Sequence, residues 1–376
     1  MRILVSGWTG STNLGDELVF TGIRALLTRQ VPPDEQPRIA AVSIDPSATR
    51  ADHDVSTIDH RRLDRIAAAA RSADLVVFGG GGLIQDETSP WNLPYHLSRP
   101  LFAALGRTPW VALDLGVGPL EARGARRLAT GLRHAAAVTV RDEPSQALLA
   151  EIGVGASLAA DAAFHLPVPR AKVEGSVRLP TTDAGSLVVS LRPWRGTPIG
   201  GERWLPVGWR SGPGEPDWFV TTIAGALDRA VHRTGLSVRF VALQTDRDAQ
   251  LHERVAAAMD SHTSLVVPTR HTVLGELARA RVVVAMRYHA GIGATLAGRP
   301  SVLIGYSPKV DALAATLGDG AAHRPFSREA IAGLDEAIVA QVESMTAVDA
   351  VTRGRQRLRA RTEVDREVLA KLWRSA

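Results

Sequence analysis

The chain contains no cysteine in 376 residues. That excludes disulfides, thiolate catalysis and cysteine metal sites, and it is compatible with a reducing cytosol. No run approaches the roughly 20 apolar residues that a membrane-spanning helix needs. The opening MRILVSG is already strand-like and shows no basic stretch followed by an apolar one. A cytoplasmic location is therefore expected, with peripheral contact at the inner face of the membrane left open. Aromatic residues make up only 5% of the chain, and no RNA-binding motif or aromatic-rich basic segment occurs. The net charge of +5 and pI near 10.1 then point to acidic small molecules before nucleic acid. Phosphate-loop signatures are missing too. In GWTGSTNLGDE, residues 7–17, Gly10 and Gly15 have P-loop spacing, but Asp16 and Glu17 stand where Lys and Ser or Thr would hold a phosphate. No GxGxxG occurs there either.

What is present is an alternation of strands and helices in two halves. At a prior of roughly 150 residues per domain the length suggests two, and 45% hydrophobic residues suffice for two cores. Strands are expected at Arg2 to Ser6, Ile39 to Ser43, Leu75 to Phe78, Trp110 to Leu115 and Ala137 to Arg141, with helices between them. After a Pro-containing polar stretch the pattern resumes at Leu187 to Leu191, Ser237 to Leu243, Ser264 to Val267, Val282 to Met286 and Ser301 to Tyr306. This predicts two doubly wound parallel-sheet α/β domains facing a cleft, over 1–165 and 186–345, joined by a linker over 166–185. A C-terminal helix over 346–376 completes the chain, and its packing back on the first domain is left open. Within that helix, Arg353 to Arg361 carries Arg at every second position. The row reads as a solvated face or as attraction to an anionic membrane.

The charged residues gather at predicted strand ends, where open α/β sheets bind ligands. Arg287 and His289 follow Val282 to Met286 and precede a helix of small residues, whose N-terminus favours anions. The alternative is that Arg287 pairs with a surface carboxylate and His289 caps the helix. Arg192 in VVSLRPW and Lys309 in YSPK leave neighbouring strands of the same predicted sheet, so Arg192, Arg287, His289 and Lys309 could surround one polyanion. In the first half, VRDEPS places Arg141 at a strand end, where Asp142 or Glu143 could simply pair with it. FGGGGLIQD ends its strand with four glycines that admit a ligand to the backbone, or that turn the chain. Asn13, Asp16, Glu17, Gly80, Gly81 and Asp86 are the acceptor-side candidates, although Asp16 also suits a helix N-terminus by itself. Trp204, Trp209 and Trp218 lie in or beside an irregular stretch and suit a sugar face, a lipid-linked acceptor, or plain burial. Trp204 and Trp209 are counted with the acceptor side.

Taken in order, NLGDE, GGGGLIQD, GVGPL, VRDEPS, AADAAF, RYHAGIGATLAGRP and YSPK resemble the polysaccharide pyruvyl transferase family over most of the chain. The resemblance implies a GT-B-like pair of Rossmann domains. It also implies phosphoenolpyruvate as donor substrate, a saccharide hydroxyl pair as acceptor and a pyruvate ketal as product. Arg141, His289 and Lys309 would matter for activity, with Arg192 and Arg287 holding the donor and Asp16 a candidate base. Tyr288 replaces a residue that is often Leu in relatives, and its side chain is expected to point away from the site. No metal or other cofactor is expected, because His and acidic residues do not cluster at ligand spacing along the chain. The rival readings are a nucleotide-sugar glycosyltransferase of the same fold and a non-catalytic protein that binds anionic glycans.

Overall fold

Central strands of almost continuous apolar sequence, buried on both faces, and more exposed edge strands fold into two parallel sheets covered by helices. The computed structural model describes residues 1–29, 31, 35–86, 91–168, 185–193, 216–245 and 247–375. Trp204 and Trp209 lie outside these residues, as do 169–184 of the expected linker.

The first sheet contains β1 (Arg2–Thr9), β2 (Arg38–Ser43), β3 (Ser56–Asp59), β4 (Leu75–Ile84), β5 (Trp110–Val117), β6 (Ala137–Val140) and β7 (Ser157–Leu158). Its order is β3-β2-β1-β4-β5-β6-β7. The second contains β8 (Ser186–Ser190), β9 (Val238–Val241), β10 (Thr263–Val266), β11 (Ala280–Ala285), β12 (Ser301–Gly305) and β13 (Ala321–Pro325), in the order β10-β9-β8-β11-β12-β13. Both orders reverse at the first strand of the sheet, between β1 and β4 and between β8 and β11. These reversals open a crevice at the carboxyl edge of each sheet.

Local chemistry accounts for the helix starts around the first reversal. Asp142 accepts the Ser145 amide at 2.9 Å, with Pro144 in the first turn of the helix Glu143–Glu151. The run Gly79 to Gly82 departs from expectation. It is not a turn after the strand but part of β4, with φ of 134°, 79° and 87° at Gly79, Gly80 and Gly81 and a register shift against β5. The missing side chains let the strand bulge where other residues would be strained.

Apolar packing runs from one sheet to the other. Leu14, Leu18 and Phe164 share a buried cluster with Val241, Leu243, Tyr288 and Leu296. Nearby, the Leu14 amide donates to the Leu243 carbonyl at 2.8 Å and the Thr245 amide to Thr12 at 3.2 Å. The C-terminal segment is two helices, not one. Ala347–Arg361 packs on the second unit, and Glu363–Ser375 carries Leu369 into the core with Ile3, Val5 and Leu27. Arg353 and Arg357 of the arginine row are exposed, but four of its five members bond to other parts of the chain. Arg355 donates to the Leu296 carbonyl at 3.0 Å, Arg357 to Thr316 at 2.5 Å, Arg359 to Leu166, and Arg361 reaches Glu143 at 2.8 Å. Among the described residues no helix is long and apolar enough to cross a membrane.

Gly22 marks the tightest helix contact of the first unit. A Cβ there would lie 2.0 Å from the carbonyl oxygen of Ala162, a backbone atom that cannot rotate away. Gly22→Ala is expected to cost about 1–3 kcal/mol, as other overpacked positions do, read as a lower urea midpoint. An unchanged midpoint would show that this helix is free to shift.

Candidate functional site

The carboxyl ends of the two sheets bring their cations together. Arg141 leaves β6 and lies at the first-sheet edge, where the sites of Gly82 and Gly116 are kept clear for it. A Cβ on Gly116 would fall 2.5 Å from the Arg141 guanidinium, and one on Gly82 would lie 3.4 Å from Arg141 and 4.0 Å from the Lys309 ammonium. Lys309 comes from the helix Pro308–Leu317 after β12, so the two cations meet from opposite sheets. Arg192, after β8, stands 4.5 Å from the Tyr306 ring centroid.

Two tyrosine rings separate these three cations. Arg141 and Lys309 lie 4.6 and 5.8 Å from the ring of Tyr288, and Lys309 lies 5.7 Å from that of Tyr306. Burial would raise the Tyr306 phenol, but Lys309, Arg192 and Arg287 outweigh it and bring the group down to about 7. Tyr306 supports the Lys309 charge, yet burial with Arg141 and Arg192 leaves Lys309 below its ordinary value. Tyr288 corrects an expectation: its ring faces the cations instead of pointing away. It is buried, and burial pushes its phenol well up despite Arg141.

Asp161 ties the two halves together. One of its oxygens is 3.0 Å from Arg141 Nη1 and 3.4 Å from His289 Nε2, while the other accepts the Ala163 amide at 3.1 Å. Burial opposes its charge, but His289 and Arg141 hold its carboxyl well below the usual range. His289 starts the helix Tyr288–Ala297 and packs on Gly15, where a Cβ would lie 2.3 Å from its ring. Gly15 therefore makes room for an imidazole and does not form part of a phosphate loop.

Asp16 stands beside this ring. Asn13 donates to it at 2.8 Å, and Gly81 approaches it to within 3.5 Å of where a Cβ would sit. Burial pushes its carboxyl up to about 6, with Glu17 adding to the rise and His289 and Arg141 opposing it. A narrow crevice lined by Trp8, Thr9, Asp16, Gly79 and Gly80 lies next to it.

Other predicted residues take structural places. Arg287, expected to hold the donor, is bonded within the protein: Asp248 takes its Nε at 3.0 Å and shares Nη2 with Gln244, which accepts at 2.9 Å. Its partner is a fully buried carboxylate, not the surface one considered as the alternative. Glu17 faces inward, binding the Gly10 amide at 2.7 Å and His53 at 2.8 Å. Asp86 accepts the Glu121 amide at 2.9 Å and lies against Gly124, while Gly80 faces Val19 and Ile23. Trp218 stacks its edge on Phe219 within the second core. Asp161, Tyr306 and the buried hydroxyl of Ser307, which has no hydrogen-bond partner, are the site residues that motif reasoning did not single out.

Comparison with known proteins bears on the family and the fold. A family model described as polysaccharide pyruvyl transferase matches residues 13–308. No curated protein sequence matches the chain. Among solved structures, Anabaena HepE in complex with UDP-glucose is 11% identical, with 99% of each chain covered and a TM-score of 0.62. The UDP-GlcNAc 2-epimerase of Neisseria meningitidis bound to UDP-GlcNAc is 10% identical, over 99% of this chain and 100% of that one, at 0.61. A glycosyltransferase from Rickettsia africae is 9% identical over 100% and 96%, at 0.56. At such identities the likeness is one of fold, the GT-B pairing of two parallel-sheet domains.

The buried Asp16 carboxyl yields a pH test. Folding holds its proton more tightly than the unfolded chain does, so the charged form loses stability as pH rises from 3.8 to about 6. Asp16→Asn should therefore gain on the wild type through that window and lead by on the order of 1–3 kcal/mol above it. Urea unfolding at pH 4 and pH 7 measures the difference. An equal offset at both pH values would show that Asp16 does not titrate there.

Proposed function

The chain belongs to the polysaccharide pyruvyl transferase family, and we propose that it transfers the enolpyruvyl group of phosphoenolpyruvate to a pair of sugar hydroxyls. The product is a pyruvate ketal on a cell-surface polysaccharide or its precursor, with release of phosphate. The observation that carries this reading is the meeting of Arg141, Lys309 and Arg192 from two sheets around one buried place, beside His289 and Asp16. Asp161 and Asp142 pair with Arg141, but no carboxylate among the described residues is bonded to Lys309 or Arg192, and phosphoenolpyruvate supplies a carboxylate and a phosphate on one carbon.

The chemistry follows from those groups. A proton goes to the methylene carbon, which becomes the methyl group, and the first sugar hydroxyl bonds to the neighbouring carbon. Phosphate then leaves with its electron pair, and the second hydroxyl takes its place. Of the two hydroxyl protons, one balances the proton given to carbon and the other leaves with phosphate. His289, oriented by Asp161, is assigned the proton for carbon. Asp16, titrating near 6, is assigned the hydroxyl proton. Lys309 and Arg141 hold the phosphate and Arg192 the carboxylate, with Ser307 Oγ and the N-terminus of the helix Pro308–Leu317 within the same anion environment. Arg287, locked by Asp248 and Gln244, positions its loop and adds charge at a distance. A lipid-linked acceptor in peripheral contact with a membrane is consistent with the basic chain.

A nucleotide-sugar donor is the competing reading, because HepE and the Neisseria epimerase are complexes with UDP-sugars. Incubation with phosphoenolpyruvate and a saccharide panel, followed by mass spectrometry and phosphate assay, separates the two. Ketal product with inorganic phosphate is expected; release of UDP from a UDP-sugar would refute pyruvyl transfer. His289→Ala should lower kcat by on the order of 10²–10⁴-fold with the fold intact, and retention of most activity would remove His289 from the mechanism. Tyr288→Leu should raise KM for the donor about 2- to 30-fold while Tyr288→Phe leaves it near wild type. Equal effects of the two would mean that the ring face does not steady Arg141 and Lys309.

A further inference from the structure

Behind the site, three ionisable side chains from distant parts of the chain meet with no solvent around them. Asp114 lies in β5, His165 ends the 3₁₀ turn Ala162–His165, and Asp365 belongs to the helix Glu363–Ser375. Their exposures are 0%, 2% and 0%. One ligand atom from each lies within 4.8 Å of the others. Both Asp114 oxygens, both His165 ring nitrogens and Asp365 Oδ2 have no hydrogen-bond partner, and His165 Nε2 stands 3.4 Å from Asp365 Oδ2. Asp114 also holds a left-handed backbone, φ 51°, which a residue with a Cβ adopts only when its surroundings compel it.

Ionised, the two carboxylates would place two negative charges at complete burial, which is costly unless a cation or a proton offsets one or both. The nearby hydroxyl does not supply the missing charge. Thr139 Oγ1 gives its proton to Asp365 Oδ1 at 2.7 Å and accepts the Asp114 amide at 2.9 Å. It fixes the angle of Asp365 and leaves Oδ2 turned to the cluster, as outer partners of metal ligands do.

We propose that Asp114, His165 and Asp365 bind one divalent transition-metal ion, zinc in the first instance. Mixed imidazole and carboxylate donors suit that ion, whose ligands sit at about 2.0–2.2 Å. The ion is a clasp. It fastens the returning C-terminal helix to the first sheet, and through the turn Ala162–His165 it steadies Asp161, which caps that turn at the other end. The inference does not rest on the reaction proposed above.

The test uses untagged full-length protein purified without chelator. Elemental analysis by plasma mass spectrometry is expected to find about one zinc or manganese per chain. After stripping with a chelator and adding zinc chloride alone, the melting temperature should rise by several degrees, because the ion binds the folded state only. Asp365→Asn, which keeps the shape, should abolish that rise. His165→Gln is the second variant if the first folds poorly. Wild-type protein with no bound metal and no zinc-dependent rise overturns the proposal, and it points instead to a proton shared between Asp114 and Asp365. A zinc response that persists in both variants places the ion elsewhere and overturns it equally.

Discussion

One carboxylate holds the site together. Asp161 is buried and contacts a basic side chain from each half of the molecule, Arg141 of the first sheet and His289 near the start of a helix in the second. Arg141, Lys309 and Arg192 are crowded at a largely buried interface, where like charges repel more than in water. Asp161 and Asp142 offset part of that repulsion, at 3.0 and 3.4 Å from Arg141. The faces of Tyr288 and Tyr306 offset more. The remainder shows in Lys309, held below its usual value, and in Tyr306, drawn down to about 7. Incomplete compensation of these charges is the electrostatic feature on which the proposed anionic donor relies.

That arrangement requires the two sheets to keep a fixed distance, and three devices do so. The shared apolar cluster joins Leu14, Leu18 and Phe164 to the second sheet, the Leu14 and Thr245 amides bridge the gap, and the C-terminal helices span both units. Arg355 and Arg359 show how charge serves this purpose, since each guanidinium satisfies a carbonyl oxygen, one at the end of a second-unit helix and one near the end of the first unit. Their stems pack while their heads bond, so a run of like charges becomes a seam.

Much of the site is legible in the sequence, because strand ends are local features. Apolar β-forming runs announced where each sheet would stop, and Arg141, Arg192, His289 and Lys309 follow such runs directly. Parallel sheets place those stops on one edge, so the residues had to emerge on the same side. Gly15 and Gly116 were visible as glycines, but not as the space that His289 and Arg141 occupy.

What the sequence by itself determined is the alternation of elements and the edge at which each charged residue leaves its strand, since both follow from the short-range periodicity of apolar residues. Which partner each charge meets was decided only by the tertiary structure. Arg287 closes on Asp248 because a helix from another crossover comes to lie beside it, and Tyr288 turns to the cations because its helix packs that face inward. Asp114, His165 and Asp365 come from a strand, a turn and the last helix. Burial and ion pairing depend on how elements meet across long stretches of chain, and no local spacing encodes that meeting.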